Sequence, residues 1–381
     1  VMKSLLLLLL CLIPVQLFPE VEKKGSELRV LSYNVWYGFT KQPERKKKFL
    51  EYVRSLKPDI VSLQELNSYT EGKLSQDART WGHPHSALLK TGGFPTGITS
   101  RFPIEEVSRT LEGYHHGLLS CKTGGIRVYV VHLHPGHWQI RHREVDLLTR
   151  ELVKRNPAEK ILLAGDFNTF SPRDRKQYEK TPDIIPFFRR LDQRWKSNRN
   201  LRDDKLDYTH LEKIEKAGFI DLVAGKRTRF SGTFPTKNRL GEDNGPSRRL
   251  DYFYANRSLA SSCKSAVCLV NEDTAYLSDH YPVLAVFSLL VSDERSRTYV
   301  LDPSTKKVTR EVTGAQTEMR GGLCYVKGET TPFTGREISY TSGLKPINKR
   351  GIKVTTTYLD GKEQDMVFDA PWGPVRPRKG P

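Results

Sequence analysis

Five segments of this chain set carboxylate, amide or imidazole side chains at the end of a stretch that is otherwise apolar. They are Ser32-Tyr33-Asn34, Gln64-Glu65, His132-Leu133-His134, Gly165-Asp166-Phe167-Asn168 and Ser278-Asp279-His280. A single Asp after a strand is ordinarily a turn or a helix cap. Five polar endings on buried strands are a stronger constraint, because each group costs several kcal/mol to bury unless it is paired or holds a metal. The fold must therefore bring these ends to one shared place. The intervening pattern supports this. The apolar runs 28–35 (LRVLSYNV), 59–66 (DIVSLQEL), 126–132 (IRVYVVH) and 160–167 (KILLAGDF) read as buried strands. Between them, 44–57 carries Phe49, Leu50, Val53 and Leu56 at helical spacing, and 140–154 carries Val145, Leu148 and Leu152 on one face. Strands alternating with amphipathic helices predict an α/β domain.

Shorter strands are predicted at 86–90, 96–100, 117–122 and 249–255, a helix at 208–217 and a last strand at 281–291. The polar stretch 171–200 reads as an excursion with short helices outside the core. Beyond 292 the texture becomes charged, Thr-rich and Gly-rich, which places a domain boundary near 291–297 and predicts a small, mostly β module over 297–370. Within it 338–345 (ISYTSGLK) and 356–363 (TTYLDGKE) share Tyr-x-x-Gly, the mark of short β-hairpins, and resemble MORN-type repeats. The Pro-rich basic stretch 371–381 is expected to be disordered. At the other end Lys3 precedes the apolar run Leu5 to Leu10, and a charged segment follows from Glu20. Residues 1–19 therefore read as a signal peptide, with a secreted or periplasmic product and no stable membrane span after its removal. The catalytic-type region is 27–291.

The 381 residues carry 62 Lys+Arg against 44 Asp+Glu, a formal charge of +18, most of it before residue 291. With 37% hydrophobic and 10% aromatic residues the chain can fill a core, which excludes wholesale disorder and collagen-like or coiled-coil architectures. The charge favours a polyanionic or phosphate-bearing partner. Once the leader is removed, Cys121, Cys263, Cys268 and Cys324 remain, with no zinc-type C-x-x-C spacing. Cys263 and Cys268 could bridge across a bend, or all could be buried thiols. Asn256-Arg257-Ser258 fits a glycosylation acceptor.

The polar endings form one chemical inventory. Glu65, Asp166 and Asp279 with Asn34 and Asn168 are hard oxygen donors, suited to Mg²⁺, Mn²⁺ or Ca²⁺ rather than zinc. His132 and His280 can donate to phosphate oxygens. The chain has no G-x-S-x-G elbow, Walker loop or G-x-G-x-x-G, so water is the expected nucleophile.

In order along the chain, LSYNVW, DIVSLQEL, GITSRFPI, VHLHPG, LLAGDFNT, SRRLDYFY and LSDHYPV resemble the motifs of the endonuclease/exonuclease/phosphatase superfamily over about 28–290. The resemblance implies a four-layer αββα sandwich with two central mixed sheets, as in DNase I-like enzymes, and a site at their open edge. It implies a divalent-metal-dependent phosphoesterase. By resemblance Glu65 is the main metal ligand, with Asn34 and Asp279 beside it. Asp166 orients or deprotonates the water, Asn168 holds the scissile phosphate, and His280 contacts the phosphate while Asp251 accepts its other ring proton. His132 binds phosphate or acts as acid. His134 in the same VHLHPG is an equal candidate, because strand alternation puts both on one face. Asp251 has a competing reading as a strand-end salt bridge to Arg248 or Arg249. Arg101 reads as a strand cap, His115 and His116 as a surface loop or, as the alternative, the site rim, and His83, His85, His137, His142 and His210 as loop or helix-surface residues. Trp36 and Tyr37 read equally as core, rim or stacking groups. The expected substrate is a phosphodiester, DNA or RNA first. A sphingomyelinase-like or sugar/inositol phosphate activity is the alternative, and a non-catalytic binding protein is the other class.

Overall fold

A computed structural model describes residues 27–239, 243–288 and the backbone of eight strands between 297 and 375. The leader and most of 371–381 lie outside the described residues. Twelve strands build two six-stranded sheets. The first holds β1 (Glu27–Asn34), β2 (Ile60–Gln64), β3 (His85–Leu88), β4 (Gly97–Ser100), β11 (Cys263–Cys268) and β12 (Val283–Ser288), in the order β11-β12-β1-β2-β4-β3. The second holds β5 (Glu105–Thr110), β6 (Leu118–Thr123), β7 (Ile126–His132), β8 (Ile161–Asp166), β9 (Phe219–Asp221) and β10 (Asp251–Asn256), in the order β5-β6-β7-β8-β10-β9. Both sheets are mixed: β1 with β2 and β7 with β8 are parallel, and the other pairings are antiparallel.

Strand alternation sorts the side chains into layers. Val30, Ile60, Val128, Leu162, Phe253 and Ala285 share one buried cluster, so the two sheets face each other. On the opposite face of the first sheet, Leu31, Tyr33, Val61 and Leu63 pack with Phe49 and Val53 of α1 (Arg45–Leu56) and Leu74 of α2 (Glu71–Thr80). The second sheet turns Tyr129, Val131 and Leu163 toward Val145 and Leu148 of α3 (Trp138–Leu152). This is the expected four-layer sandwich.

The polar excursion departs from expectation. Its helices α4 (Arg175–Glu179) and α5 (Ile184–Arg194) enclose a core of their own, in which Phe170, Tyr178, Ile184, Phe187 and Phe188 are buried. Four apolar residues in α5, Ile184, Ile185, Phe187 and Phe188, drive this packing despite the charged flanks. After it come α6 (Thr209–Lys216), α7 (Leu222–Lys226) and α8 (Arg257–Ala260). Asn256 caps α8: its Oδ1 accepts from Leu259 N, and its Nδ2 donates to the Glu159 carbonyl at 2.6 Å. Its amide is thus committed to structure rather than free for a glycan. Cys121, Cys263 and Cys268 are free thiols. Cys263 and Cys268 lie at opposite ends of the single strand β11, and about 3.3 Å of rise per residue carries them beyond disulfide reach.

Beyond the sandwich, β13 (Arg297–Leu301), β14 (Val308–Thr313), β17 (Gly335–Thr341), β18 (Ile352–Leu359), β19 (Lys362–Ala370) and β20 (Gly373–Val375) pair in the order β14-β13-β17-β18-β19-β20, and β15 (Thr317–Arg320) pairs with β16 (Leu323–Val326). The register Leu359↔Lys362 pairs the end of β18 with the start of β19 at the second Tyr-x-x-Gly segment. The first such segment instead enters β17, and its Gly343 lies outside the described residues. Gly373–Val375 is a strand in a stretch expected to be disordered.

Candidate active site

Chain direction explains why the polar ends converge. β1 and β2 run parallel and finish at Asn34 and Gln64, and β7 and β8 run parallel and finish at His132 and Asp166. β10 is antiparallel to β8, so it begins at this edge, with Asp251 opposite Asp166. β12 is antiparallel to β1, which brings the preceding Asp279 and His280 to the same edge. Two of the turns at this edge have strained backbone. Glu65 and Asn168 follow their strands with φ of 59° and 49°, left-handed values that non-glycine residues rarely adopt and that turn the chain back over the edge.

Asp166 Oδ2 is the hub. Asn34 Nδ2 donates to it at 3.2 Å, and Nε2 of His132 and Nε2 of His280 each lie 3.8 Å away. Asp166 Oδ1 accepts from Asn168 N at 2.9 Å. Glu65 Oε2 accepts from Tyr37 N at 2.9 Å, and its Oε1 accepts from Asn34 Nδ2 at 3.2 Å. On the far side Asp251 Oδ2 lies 2.8 Å from His280 Nδ1. Asp251 therefore pairs with the imidazole and with neither arginine, because Arg249 is taken by Asp174 and Asp221.

Burial pushes the Asp166 carboxyl up to about 8, with the carboxylates of Asp251 and Glu65 adding to it against the opposing His280 charge. Glu65 and Asp279 are raised too, first by burial; for Glu65 the facing Asp279 charge comes next. Burial alone would lower His280, but Asp251 and Asp166 outweigh it and hold the imidazole up at about 10. His132 goes the other way: desolvation, reinforced by neighbouring imidazoles, keeps it neutral.

Carboxylates that repel one another in a dry place are what a divalent cation neutralises, and Glu65 with Asp279 fits that need. Asp166, Asp251 and His280 also set one ligand atom each within 4.8 Å of one another and could hold a metal. The protonated His280, however, offers ring hydrogens rather than lone pairs. Asn34 differs from the expected oxygen ligand: its Oδ1 accepts from Trp36 N at 3.0 Å, and its amide nitrogen spans the two carboxylates.

The residues open into a cleft of about 340 Å³. His132 lines it and His134 does not, because β7 ends at His132 and strand alternation stops there. The His134 ring instead packs on His115 at 4.2 Å, and its Nδ1 accepts from Gly136 N. His115 and His116 take the rim reading over the surface loop: both line the cleft, and His116, 4% exposed, stacks on His132 at 4.0 Å and 15°. Sequence reasoning misplaced His83 and His210. Both are buried, His83 between Thr99 and the Pro58 carbonyl, His210 between Thr169 and the Trp138 carbonyl. Arg101 pairs with Asp59 at 2.8 Å, away from the cleft. Trp36 is buried between the guanidinium groups of Arg45 and Arg239, and Tyr37 lines the cleft edge-on to Phe94. No Ser, Thr or Cys side chain lines the cleft among the described residues, and the nearby Ser278 hydroxyl is donated to the Asn34 carbonyl at 2.6 Å.

No curated protein matches the chain in sequence. Among solved structures, an AP endonuclease from Archaeoglobus fulgidus shares the fold at 22% identity and TM-score 0.54, over 69% of this chain and 100% of that one. The 3′ phosphatase NExo from Neisseria, bound to a product DNA hairpin, aligns at 17% identity and TM-score 0.49 over the same shares. The 3′-5′ exonuclease NExo from Neisseria meningitidis aligns at 16% and 0.49, again over 69% and 100%. The family description Endonuclease/Exonuclease/phosphatase matches residues 31–280. Sequence match and sandwich agree: the chain belongs to the endonuclease/exonuclease/phosphatase family, whose members are hydrolases of phosphoester bonds.

Proposed function

We propose that this protein hydrolyses a phosphodiester by attack of water, with a nucleic-acid chain as its substrate. The observation that carries the reading is the convergence of a neutral imidazole, a charged imidazole and an amide on Asp166 Oδ2. Glu65 and Asp279 would hold the divalent cation, which when bound supplies positive charge against a phosphoryl oxygen. Asp166 takes the proton of the attacking water, and an ordinary value raised to about 8 makes it a competent base near neutral pH. Asn34 and the Asn168 amide hydrogen fix its direction. The His280 imidazolium, held by Asp251, donates toward the non-bridging oxygen where charge develops. His132, neutral and buried, is placed to hydrogen-bond the phosphate from the opposite side. Asn168 lines the same cleft and is assigned to the scissile phosphate.

Mg²⁺ is the proposed ion, on the grounds of hard oxygen donors. Export of the protein rests on the apolar run Leu5 to Leu10. A separate C-terminal module rests on the change of composition after 292 and on strands that pair among themselves.

The test is hydrolysis of supercoiled DNA, RNA, bis(p-nitrophenyl) phosphate and sphingomyelin, with Mg²⁺ and then with chelator, beside His280→Ala and Glu65→Ala. The expected result is metal-dependent cleavage of nucleic acid, lost in both variants. Preference for sphingomyelin would reassign the substrate, and turnover surviving in both variants would sink the site.

A further inference from the structure

Two adjacent arginines, Arg248 and Arg249, precede β10, and both are nearly sealed, at 6% and 0% exposure. Their surroundings differ. Arg249 is neutralised by Asp174 and Asp221. Arg248 has no carboxylate within ion-pair distance among the described residues. Its Nη1 donates to the carbonyls of Asn244 at 2.7 Å and Pro246 at 3.0 Å. The guanidinium lies over the rings of Phe234 at 4.6 Å, Phe187 at 5.1 Å and Phe188 at 5.2 Å. Burial lowers it only to about 10, so it stays charged at neutral pH. Aromatic faces and two carbonyls recover part of the cost of burying that charge, but they supply no anion. Among the described residues the Nε and Nη2 hydrogens take no acceptor, and the side chain lines the cleft. Phe234 links it to the chemistry, packing against Arg248 on one side and against the His280 ring, at 4.9 Å, on the other.

We propose that Arg248 binds a second phosphate of the substrate, adjoining the scissile phosphate at Asp166 and His280. This rests on the phosphodiesterase reading and adds a specificity residue to it. The planar guanidinium fork matches phosphate oxygens, and a buried site strengthens the match. The second phosphate can belong to a polynucleotide chain or to a phosphorylated sugar.

The experiment compares, with Mg²⁺, the p-nitrophenyl ester of thymidine 5′-phosphate with and without a 3′-phosphate. Wild-type protein is expected to favour the doubly phosphorylated probe by about tenfold to a hundredfold in kcat/KM. Arg248→Met collapses that ratio toward one whatever its absolute rate, and Arg248→Lys keeps part of it. Thermal melts of each variant confirm folding. Inhibition of wild-type protein by thymidine 3′,5′-bisphosphate and not by an inositol bisphosphate assigns the phosphate to a nucleic-acid chain, and the reverse assigns it to a sugar. Turnover of both probes without preference in wild-type protein, or a preference retained in Arg248→Met, overturns the proposal and leaves the phosphodiesterase reading standing. No turnover of either probe removes that reading and the proposal with it.

Discussion

Arg249 is the member of the pair whose loss should most destabilise the fold. Its Nε donates to Asp174 at 2.9 Å, and its two terminal nitrogens donate to the two oxygens of Asp221 at 2.8 and 2.6 Å. Its ring-like face covers Tyr252 at 4.4 Å. Burial alone would raise Asp221, yet the Arg249 charge and hydrogen bonds hold it below the usual carboxylate range. Arg249→Met keeps most of the volume and strands the sealed Asp221 carboxylate, while Asp174 keeps its pair with Arg227, a loss of about 3–5 kcal/mol. For a unit of this size that is a fall in Tm of roughly 6–20 °C. The pH dependence has a definite sign. In the wild type the contribution of Asp221 is present above its unfolded value, 3.8, and is lost as pH falls through its lower folded value. In the variant the unpaired Asp221 carboxyl shifts upward, so it takes up a proton in the folded state and the deficit shrinks as pH falls from 7 toward 4. Urea denaturation at several pH values reads both quantities. Adding Asp221→Asn to the variant should recover part of the loss, since the stranded charge is removed. A deficit under about 1 kcal/mol at pH 7, or one that does not change with pH, would refute the reasoning.

Other outcomes follow from the same geometry. In Asp251→Asn, the largest group raising His280 is gone while burial remains, so its titration, read by imidazole NMR in metal-free protein, should fall from about 10 toward or below 6.5. The stabilisation that His280 gives, present below 6.5 and lost as pH rises through about 10 in the wild type, should then disappear near neutrality; an unchanged titration would separate Asp251 from His280. Mg²⁺ at 100 times its Kd should stabilise the protein by about 2.7 kcal/mol in thermal melts, and Glu65→Gln should abolish most of that shift. Gly165 has a φ of 145°, and a Cβ there would stand 2.0 Å from the Val131 carbonyl oxygen, so Gly165→Ala should cost at least about 2 kcal/mol by separating β7 from β8 beside Asp166. A melt indistinguishable from wild type would show that the two strands have slack.

The site's floor was legible because apolar strands with polar ends leave few arrangements, and the order of parallel and antiparallel strands brings every such end to one edge. The walls were less legible. His116 follows another histidine in a glycine-flanked loop with no periodicity, and its placement depends on a stack with His132 formed only in three dimensions. His210 is buried by an acceptor 72 residues away, the Trp138 carbonyl. In α2, only Leu74, Asp77 and Ala78 are buried, so a ten-residue helix with only Leu74 and Ala78 as apolar side chains gave no stripe long enough to read. The edge strand β5 likewise presents a largely exposed, charged surface. Arg248 and Arg249 are identical letters, and only the positions of Asp174 and Asp221 separate their roles.

The antiparallel pairing of β1 with β12 has a consequence for biosynthesis. Glu27 sits opposite Ser288 and Ser32 opposite Val283, so β1 waits for nearly the whole catalytic region to be synthesised before this partner is made. Until then β1 has an open side, and the loop bearing Asp279 and His280 has no place to settle. Sequence separation of this kind slows folding and exposes unpaired edges on the nascent chain. Catalytic competence therefore arrives in one late step, when β12 closes the first sheet and carries the last two site residues into position.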